Sequence, residues 1–234
     1  MAALAAEFLG RDLDGRHIMK TVNAKNKTLR EVNALLRTFL NGTPLAVSSA
    51  NHLHGLAAGL KHGEVIIKGN AGDYLGVLNA GATIRVTQDA GNYVADNMTS
   101  GTMIIEGKAG FGAAQYCYGG FVIINGDAGD FTATMNKGAV IIINGNVGNE
   151  AGTYMLKGEL IVVGNAGENF ANYLIRGSVF IGGEYRSLGN NTKVIPVSQE
   201  DIDRLRGYFK KYHIKANPAA FKKIVAASEK PFYK

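Results

Sequence analysis

The sequence predicts an all-β chain wound as a parallel β-solenoid. Three observations predict it: a glycine turn at a fixed step, two apolar columns in register with it, and a third column held to small residues. The turn reads GNAG at 69, QDAG at 88, GKAG at 107, GDAG at 126, GNVG at 145 and GNAG at 164. Its last glycine falls at 72, 91, 110, 129, 148 and 167, a step of 19 without insertion or deletion. Self-similarity at a short fixed period marks a repeat architecture. One column holds Val65, Ile84, Met103, Val122, Ile141, Leu160 and Val179; two residues on, another holds Ile67, Val86, Ile105, Ile124, Ile143, Val162 and Ile181. Alternate strand residues share a face, so both columns point into one core. Four residues after the turn glycine stand Gly76, Ala95, Ala114, Ala133, Gly152 and Ala171. Crowding by the next coil's backbone is the expected reason.

From the N-terminal side, HIMKTVNA reads as a strand. Thr28-Leu-Arg-Glu31 is a capping box that starts a helix through LREVNALLRTFL, ending near Asn41-Gly42. Leu29, Val32, Leu35, Leu36 and Phe39 form its apolar stripe. PLAV is an imperfect strand where one more coil would begin. Each later coil runs a strand into the Gly-x-Ala-Gly turn. The structural turn glycines are Gly69, Gly72, Gly76, Gly91, Gly107, Gly110, Gly126, Gly129, Gly145, Gly148, Gly152, Gly164 and Gly167, where glycine permits positive φ. Six to seven coils stacked at ~4.8 Å give a prism roughly 30 Å long. Leucine-rich repeats are excluded by the lack of Leu-x-x-Leu-x-Leu, and hexapeptide solenoids by a period that is not a multiple of six. SLGNN closes the repeat. Ser198-Gln-Glu-Asp201 starts a second helix with Ile202, Leu205, Phe209 and Tyr212 on one face, and Asn217-Pro218 opens a third with Phe221, Ile224 and Val225. The chain divides into an N-terminal strand and helix cap (1–42), the right-handed parallel β-helix (43–189) and a basic helical C-terminal extension (190–234).

Composition bounds the function. Charged residues are 19% and apolar residues 46% of the 234, a balance ordinary for soluble domains. The single cysteine, Cys117, has no partner for an internal disulfide, which points to a reducing, cytoplasmic setting. The opening MAALAAEFLG lacks a basic n-region, so no signal peptide is expected, and no apolar run approaches the ~20 residues that span a bilayer. Residues 190–234 carry 10 Lys+Arg against 4 Asp+Glu, the source of the whole net charge of +6. That segment reads as a solvated basic end. It lacks aromatic-basic interleaving of the RNA-binding kind, so no nucleic acid is expected.

No catalytic, cofactor-binding or metal-binding residue is expected. IIEGKAGFG, residues 104–112, resembles a phosphate loop, but Lys108 shares its coil position with Asn70, Asp89, Asp127, Asn146 and Asn165. That column is a turn favouring Asn and Asp. His52-Leu-His54 has no Cys or further His near it in sequence. Cys117, in a column with Asn79, Met98, Asn136, Met155 and Leu174, reads as an apolar filler. Asp73, Asp89, Asp127 and Asp130 sit at turns, and an uninterrupted coil offers no walled cleft. One column does stand out: Ile66, Ile104, Ile123, Ile142, Ile161 and Phe180, interrupted by Arg85, lies on the outer strand face. An apolar ladder there needs a cover. The expectation is an interface, with part of the ladder buried between chains and the helix around Lys210 and Lys211 next in line.

The spacing Gly69-x-x-Gly72-x-x-x-Gly76, repeated at Gly145, Gly148 and Gly152 and elsewhere with Ala last, resembles the GXGXG domain. That domain is the C-terminal right-handed β-helix of the glutamate synthase large subunit. HGLAAGL, NMTSGTMIIEGKAG and GDAGDFTATMNKGAVIIINGNVG are most similar to the free-standing subunits of split glutamate synthases and of N-methylglutamate synthase. The likeness covers roughly residues 21–195. It implies a non-catalytic scaffold without its own cofactor. It implies, as partners, a glutaminase-type amidotransferase and a synthase subunit holding FMN and an iron–sulfur cluster, with a homo-oligomer as a further option. A related β-helix occurs as one subunit of formylmethanofuran dehydrogenase and of the formyltransferase/hydrolase complex, and an equivalent role here is the second reading. A free-standing carbohydrate-active β-helix is the third.

Overall fold

The computed structural model describes residues 19–39 and 44–228, without the side chain of Phe39. Eleven strands form one sheet: β1 (Lys20–Asn23), β2 (Leu45–Ser48), β3 (Glu64–Lys68), β4 (Ala80–Val86), β5 (Ser100–Ile105), β6 (Phe121–Ile124), β7 (Lys137–Ile143), β8 (Lys157–Val162), β9 (Ser178–Ile181), β10 (Thr192–Ile195) and β11 (Lys222–Ala226). From β1 to β9 each strand pairs in parallel with the next. The register follows the repeat: Val65 faces Ile84, then Met103, Val122, Ile141, Leu160 and Val179. Both predicted core columns are fully buried. The alanines of the turn stack as a second ladder, Ala71 on Ala90, Ala109, Ala128, Val147, Ala166 and Tyr185.

Two reasons inferred for small residues exchange places. Among the Gly-x-Ala-Gly glycines, only Gly69 has positive φ. The others answer to close approach: a Cβ at Gly145 would stand 2.6 Å from the Gly126 carbonyl, and one at Gly129 would stand 2.9 Å from Gly110. The Gly/Ala column is the left-handed one, with Ala95, Ala114, Ala133 and Ala171 at φ 55–61°. Its side chains face the core, where a Cβ at Gly76 would meet Met103 Cε.

Each open end is covered by hydrogen-bonding groups, as an exposed sheet edge requires. Helix α1 (Leu29–Phe39) begins at the predicted capping box, with Glu31 Oε2 accepting from Thr28 N at 2.7 Å and Thr28 Oγ1 accepting from Glu31 N. The predicted stop at Asn41-Gly42 lies outside the described residues. Val32 and Leu36 join the core. Asn33 donates to Gly55 O and accepts from Ala57 N, and Arg37 reaches Ala58 O, so the helix satisfies backbone groups of the first coil. At the far end, β11 pairs antiparallel with β9, and β10 pairs antiparallel with β11. The third helix predicted at Asn217-Pro218 is instead a 3-10 turn (Pro218–Ala220) leading into β11. The free edge of the last coil selects the strand over the helix.

Helix α2 (Gln199–Tyr212) does not cap an end. It lies across the outer strand face, and this changes the expectation for the ladder. Ile123, Ile142, Ile161 and Phe180 are buried under Leu205, Phe209, Ile214 and Phe221 of the same chain. Fourteen residues reach ~21 Å at 1.5 Å each, enough to cross these four rungs at ~4.8 Å. Because β10 and β11 cover the end, α2 is released to cover the face. Ile66 and Ile104 remain half-buried, flanking Arg85, which pairs with Glu106.

An ion network pins α2. Asp201, almost fully buried, accepts from Ser198 N at 3.0 Å, Arg204 Nη2 at 2.6 Å and Lys223 Nζ at 2.9 Å. Arg204 also reaches Glu159 Oε1 on β8 at 2.8 Å. Both Arg204 and Lys223 lie over the Phe180 ring. Burial alone would raise the Asp201 carboxyl, but the bonds from Ser198, Lys223 and Arg204 outweigh it and hold it well below the usual carboxylate range.

These contacts set the sign of several substitutions. Gly129→Ala should lower stability by about 1–3 kcal/mol through overpacking. Gly207→Ala should raise it by up to about 1 kcal/mol, because Gly207 lies in α2 with no atom beyond its own helix within 4 Å; denaturant melts should read opposite signs. Asp201→Ala should cost about 3–5 kcal/mol, the loss expected on breaking a buried ion pair. The folded Asp201 titrates below the ~3.9 of an unfolded aspartate. Its contribution is therefore complete above pH ~4 and is lost as pH falls through the depressed folded value. Melts of Asp201→Asn should show a shallower stability loss below pH ~4 than the unsubstituted chain.

Candidate functional site

The repeat places most of its polar side chains in bonds between coils. Two columns of Asn and Asp at the corner accept the backbone N–H of the same column one coil on. In the first, Asn70 Oδ1 accepts from Asp89 N (3.1 Å), Asp89 from Lys108 N (2.8 Å), Asp127 from Asn146 N (2.9 Å), Asn146 from Asn165 N (2.8 Å) and Asn165 from Glu184 N (2.8 Å). In the second, Asp73 Oδ1 accepts from Asn92 N (2.8 Å), Asn92 from Phe111 N (2.9 Å), Asp130 from Asn149 N (2.7 Å) and Asn149 from Glu168 N (2.8 Å). The bond from Asn146 N is the first cause that lowers the Asp127 carboxyl below its ordinary value. Lys108 and Phe111 interrupt both ladders in one coil, and Lys108 Nζ turns to Asp127 at 3.3 Å.

The other residues weighed from sequence have places in the same framework. His54 continues the second ladder, its Nδ1 accepting from Asp73 N at 3.0 Å. His52 Nε2 lies 3.4 Å from Lys27 O. Cys117 is fully buried with Sγ 3.1 Å from Ala95 O, and burial pushes its thiol up to about 12. In its column, Asn79 and Asn136 clamp the bend before the next strand: Asn136 Nδ2 donates to Ala139 O while its Oδ1 accepts from Ala139 N, both at 2.9 Å. Among the described residues, no group of three or more His, Cys, Asp or Glu side chains could hold a metal ion. Among the same residues, no helix is long and apolar enough to cross a membrane. A shallow depression of about 270 Å³ beside α1 is lined by Arg37, Gly59, Leu60, Lys61 and His62.

A surface that the sequence patterns did not single out carries the apolar exposure. After the corner, each coil alternates left-handed residues at three places two apart. The middle place is the buried Gly/Ala column; the outer two point outward. The first outer column holds Tyr74, Tyr93, Gly112, Phe131, Glu150 and Asn169, and the second Leu78, Asn97, Tyr116, Met135, Tyr154 and Tyr173, all with φ between 50° and 65°. Backbone donors alternate between neighbouring coils, as Tyr93 N to Phe111 O, Ala95 N to Leu75 O and Asn97 N to Gln115 O. The left-handed region costs a non-glycine residue roughly 1–2 kcal/mol, and bulky residues adopt it rarely. Here six of the twelve places hold aromatic rings. Tyr74 stacks on Tyr93 (4.8 Å), Tyr93 meets Phe111 edge-on (5.6 Å), Phe111 meets Phe131 (5.1 Å), and Tyr154 stacks on Tyr173 (5.4 Å). The exposed large hydrophobic residues concentrate on this flank: Tyr74, Leu78, Phe111, Tyr118, Phe131 and Tyr154. The signal was present in the sequence as tyrosines and phenylalanines sharing columns with Gly112, Asn97 and Asn169, residues that tolerate positive φ.

The repeat geometry agrees with comparison against known proteins. A protein-family model described as the GXGXG motif matches residues 16–231. No curated protein matches the chain. With the family match running through the first strand, the stacked coils and the C-terminal strands, the chain belongs to the GXGXG family.

Proposed function

We propose that the chain is a non-catalytic scaffold subunit of a glutamate-synthase-like complex. It docks a glutaminase-type amidotransferase and a synthase subunit that holds FMN and an iron–sulfur cluster, in the cytoplasm. The observation that carries this reading is the GXGXG match combined with the use of the repeat's polar groups. The carboxylates and amides a reaction would need are engaged in coil-to-coil bonds, as Asp73, Asp89, Asp127 and Asp130 illustrate. What the coil offers outward is surface. The part of the outer ladder from Ile66 to the Arg85–Glu106 pair, next to Ile104 at the margin of the α2 cluster, is the proposed dock for a synthase subunit.

Co-expression with an amidotransferase and an FMN synthase subunit encoded beside it tests the reading. The three chains should co-purify, and the isolated scaffold should hydrolyse no glutamine and make no glutamate. Ile66→Asp should weaken co-purification at least about tenfold, with the isolated chain still folded by circular dichroism. A fully active complex assembled without this chain contradicts the proposal, as does glutaminase activity of the purified chain.

A further inference from the structure

The left-handed flank is bordered by opposite charges. On the side nearer the corner, the two columns running from His54-Gly55 to Glu168-Asn169 hold Asp73, Asp130, Glu150 and Glu168 and no Lys or Arg. On the far side, the two columns running from Lys61-His62 to Ile175-Arg176 hold Lys61, Lys137, Lys157 and Arg176 and no Asp or Glu. Three pairs are matched coil by coil, Asp130 with Lys137, Glu150 with Lys157 and Glu168 with Arg176, while Lys61 and Asp73 stand in successive coils. The exposed rings lie in these columns and between them: Tyr74, Phe111 and Phe131 on the acidic side, Tyr118 on the basic side and Tyr154 between. Lys137 Nζ sits 4.2 Å from the centre of the Tyr118 ring and 2.8 Å from its hydroxyl.

We infer that this flank seats a second copy of the chain, in a homodimer whose two-fold axis runs parallel to the solenoid axis. A two-fold in that direction exchanges left and right while keeping each coil at its own height. The acidic border of one copy then faces the basic border of the other, coil against the same coil, and the aromatic columns meet in the middle. A two-fold perpendicular to the solenoid axis would set acid against acid and base against base. The charge order thus selects one symmetry, and a two-fold interface is self-complementary and closes at two copies.

The extent of the surface fits. The six exposed residues Tyr74, Leu78, Phe111, Tyr118, Phe131 and Tyr154 are 36–55% exposed. At roughly 200 Å² per large side chain they present on the order of 500 Å². The half-buried Tyr93, Tyr116, Met135 and Tyr173 and the charged borders carry this toward the ~800 Å² per partner of a stable interface. Tyrosine and phenylalanine are the residues that protein interfaces select. Holding Tyr74, Tyr93, Tyr116, Phe131, Tyr154 and Tyr173 in a backbone conformation that disfavours large side chains gives nothing to an isolated coil that Gly112 or Asn97 would not give at less strain. This inference is independent of the scaffold reading, since it concerns the chain alone.

Light scattering after size exclusion tests it on the full chain. The expected mass is twice the 24.8 kDa of one chain, falling toward one chain as salt rises to about 1 M, where screening shortens to ~3 Å. Lys157→Glu with Arg176→Glu makes both borders acidic in two coils; Glu150→Lys with Glu168→Lys makes both basic in the same two coils. Among the described residues, the Glu150 carboxylate accepts only from the side chains of Thr153, Asn169 and Asn172, so the second pair leaves the corner ladder through Asp130 intact. Each double variant should dimerise at least about tenfold more weakly. Mixed one to one they should recover a dimer containing one copy of each, a result no unfolded chain can produce. A monomer at all concentrations overturns the inference, as do variants that dimerise like the parent or fail to combine. A chain that gains mass only when a partner subunit or an oligosaccharide is added overturns it in favour of that occupant.

Discussion

The structure depends on how closely one coil's corner can approach the next. At Gly107, Gly126, Gly145 and Gly164 the backbone of each coil leaves no room for a Cβ beside the coil before it. That contact brings Asn and Asp side chains within 2.7–3.1 Å of the N–H one coil on. The alanine bridges from Ala71 to Ala166 keep the same register. A corner backed off by the width of one methyl would lose the carboxamide bonds and then the strand register behind them. The step of 19 is the consequence, because an inserted residue would move every later side chain off its column.

Stacking creates two problems that a closed domain lacks, open ends and long continuous faces. The ends are met by polar side chains and added strands. Asn33 and Arg37 bond the first coil, and β11 pairs with β9 at the last. One face is met by α2, and there the apolar ladder and the ion network centred on Asp201 act together. Leu205 and Phe209 supply the burial, while Asp201, Arg204 and Glu159 fix where the helix lies. The left-handed flank has no cover within the described residues, and it holds the exposed rings. Exposed apolar surface of this extent is uncommon on a chain that works alone, and it is the basis of the dimer proposed above.

Much of this was legible in the sequence. The fixed step, the two core columns and the capping boxes at Thr28 and Ser198 are local or strictly periodic, and they identify the coils and both helix starts. The rest depends on contacts between distant parts of the chain. Nothing local tells whether the apolar stripe of 199–212 meets an end or a face. That was decided by β10 and β11, which also turned the expected third helix into a strand. Glycine itself is ambiguous, since it serves either a positive φ or a close approach. The repeat does hold the answer: a column that admits Ala at 95, 114, 133 and 171 tolerates a Cβ, whereas the turn's last glycine admits none in six coils. The aromatic flank was readable as columns but not as left-handed backbone, because Tyr and Phe are residues from which extended strands are ordinarily inferred.

The central claim is that the carboxylates and amides of the corner hold the coils together and are therefore committed to structure. Native-state hydrogen exchange at single residues tests it most directly. The amides of Asn92, Lys108, Asn146, Asn149 and Asn165, each donating to an Asn or Asp one coil away, should be as protected as those of Ile123 and Ile142 in the strands and should open with them in one step. Corner amides that exchange at the rate of exposed turns while the strands stay protected would contradict the account and return Asp127 and Asp130 to the pool of groups free to do chemistry.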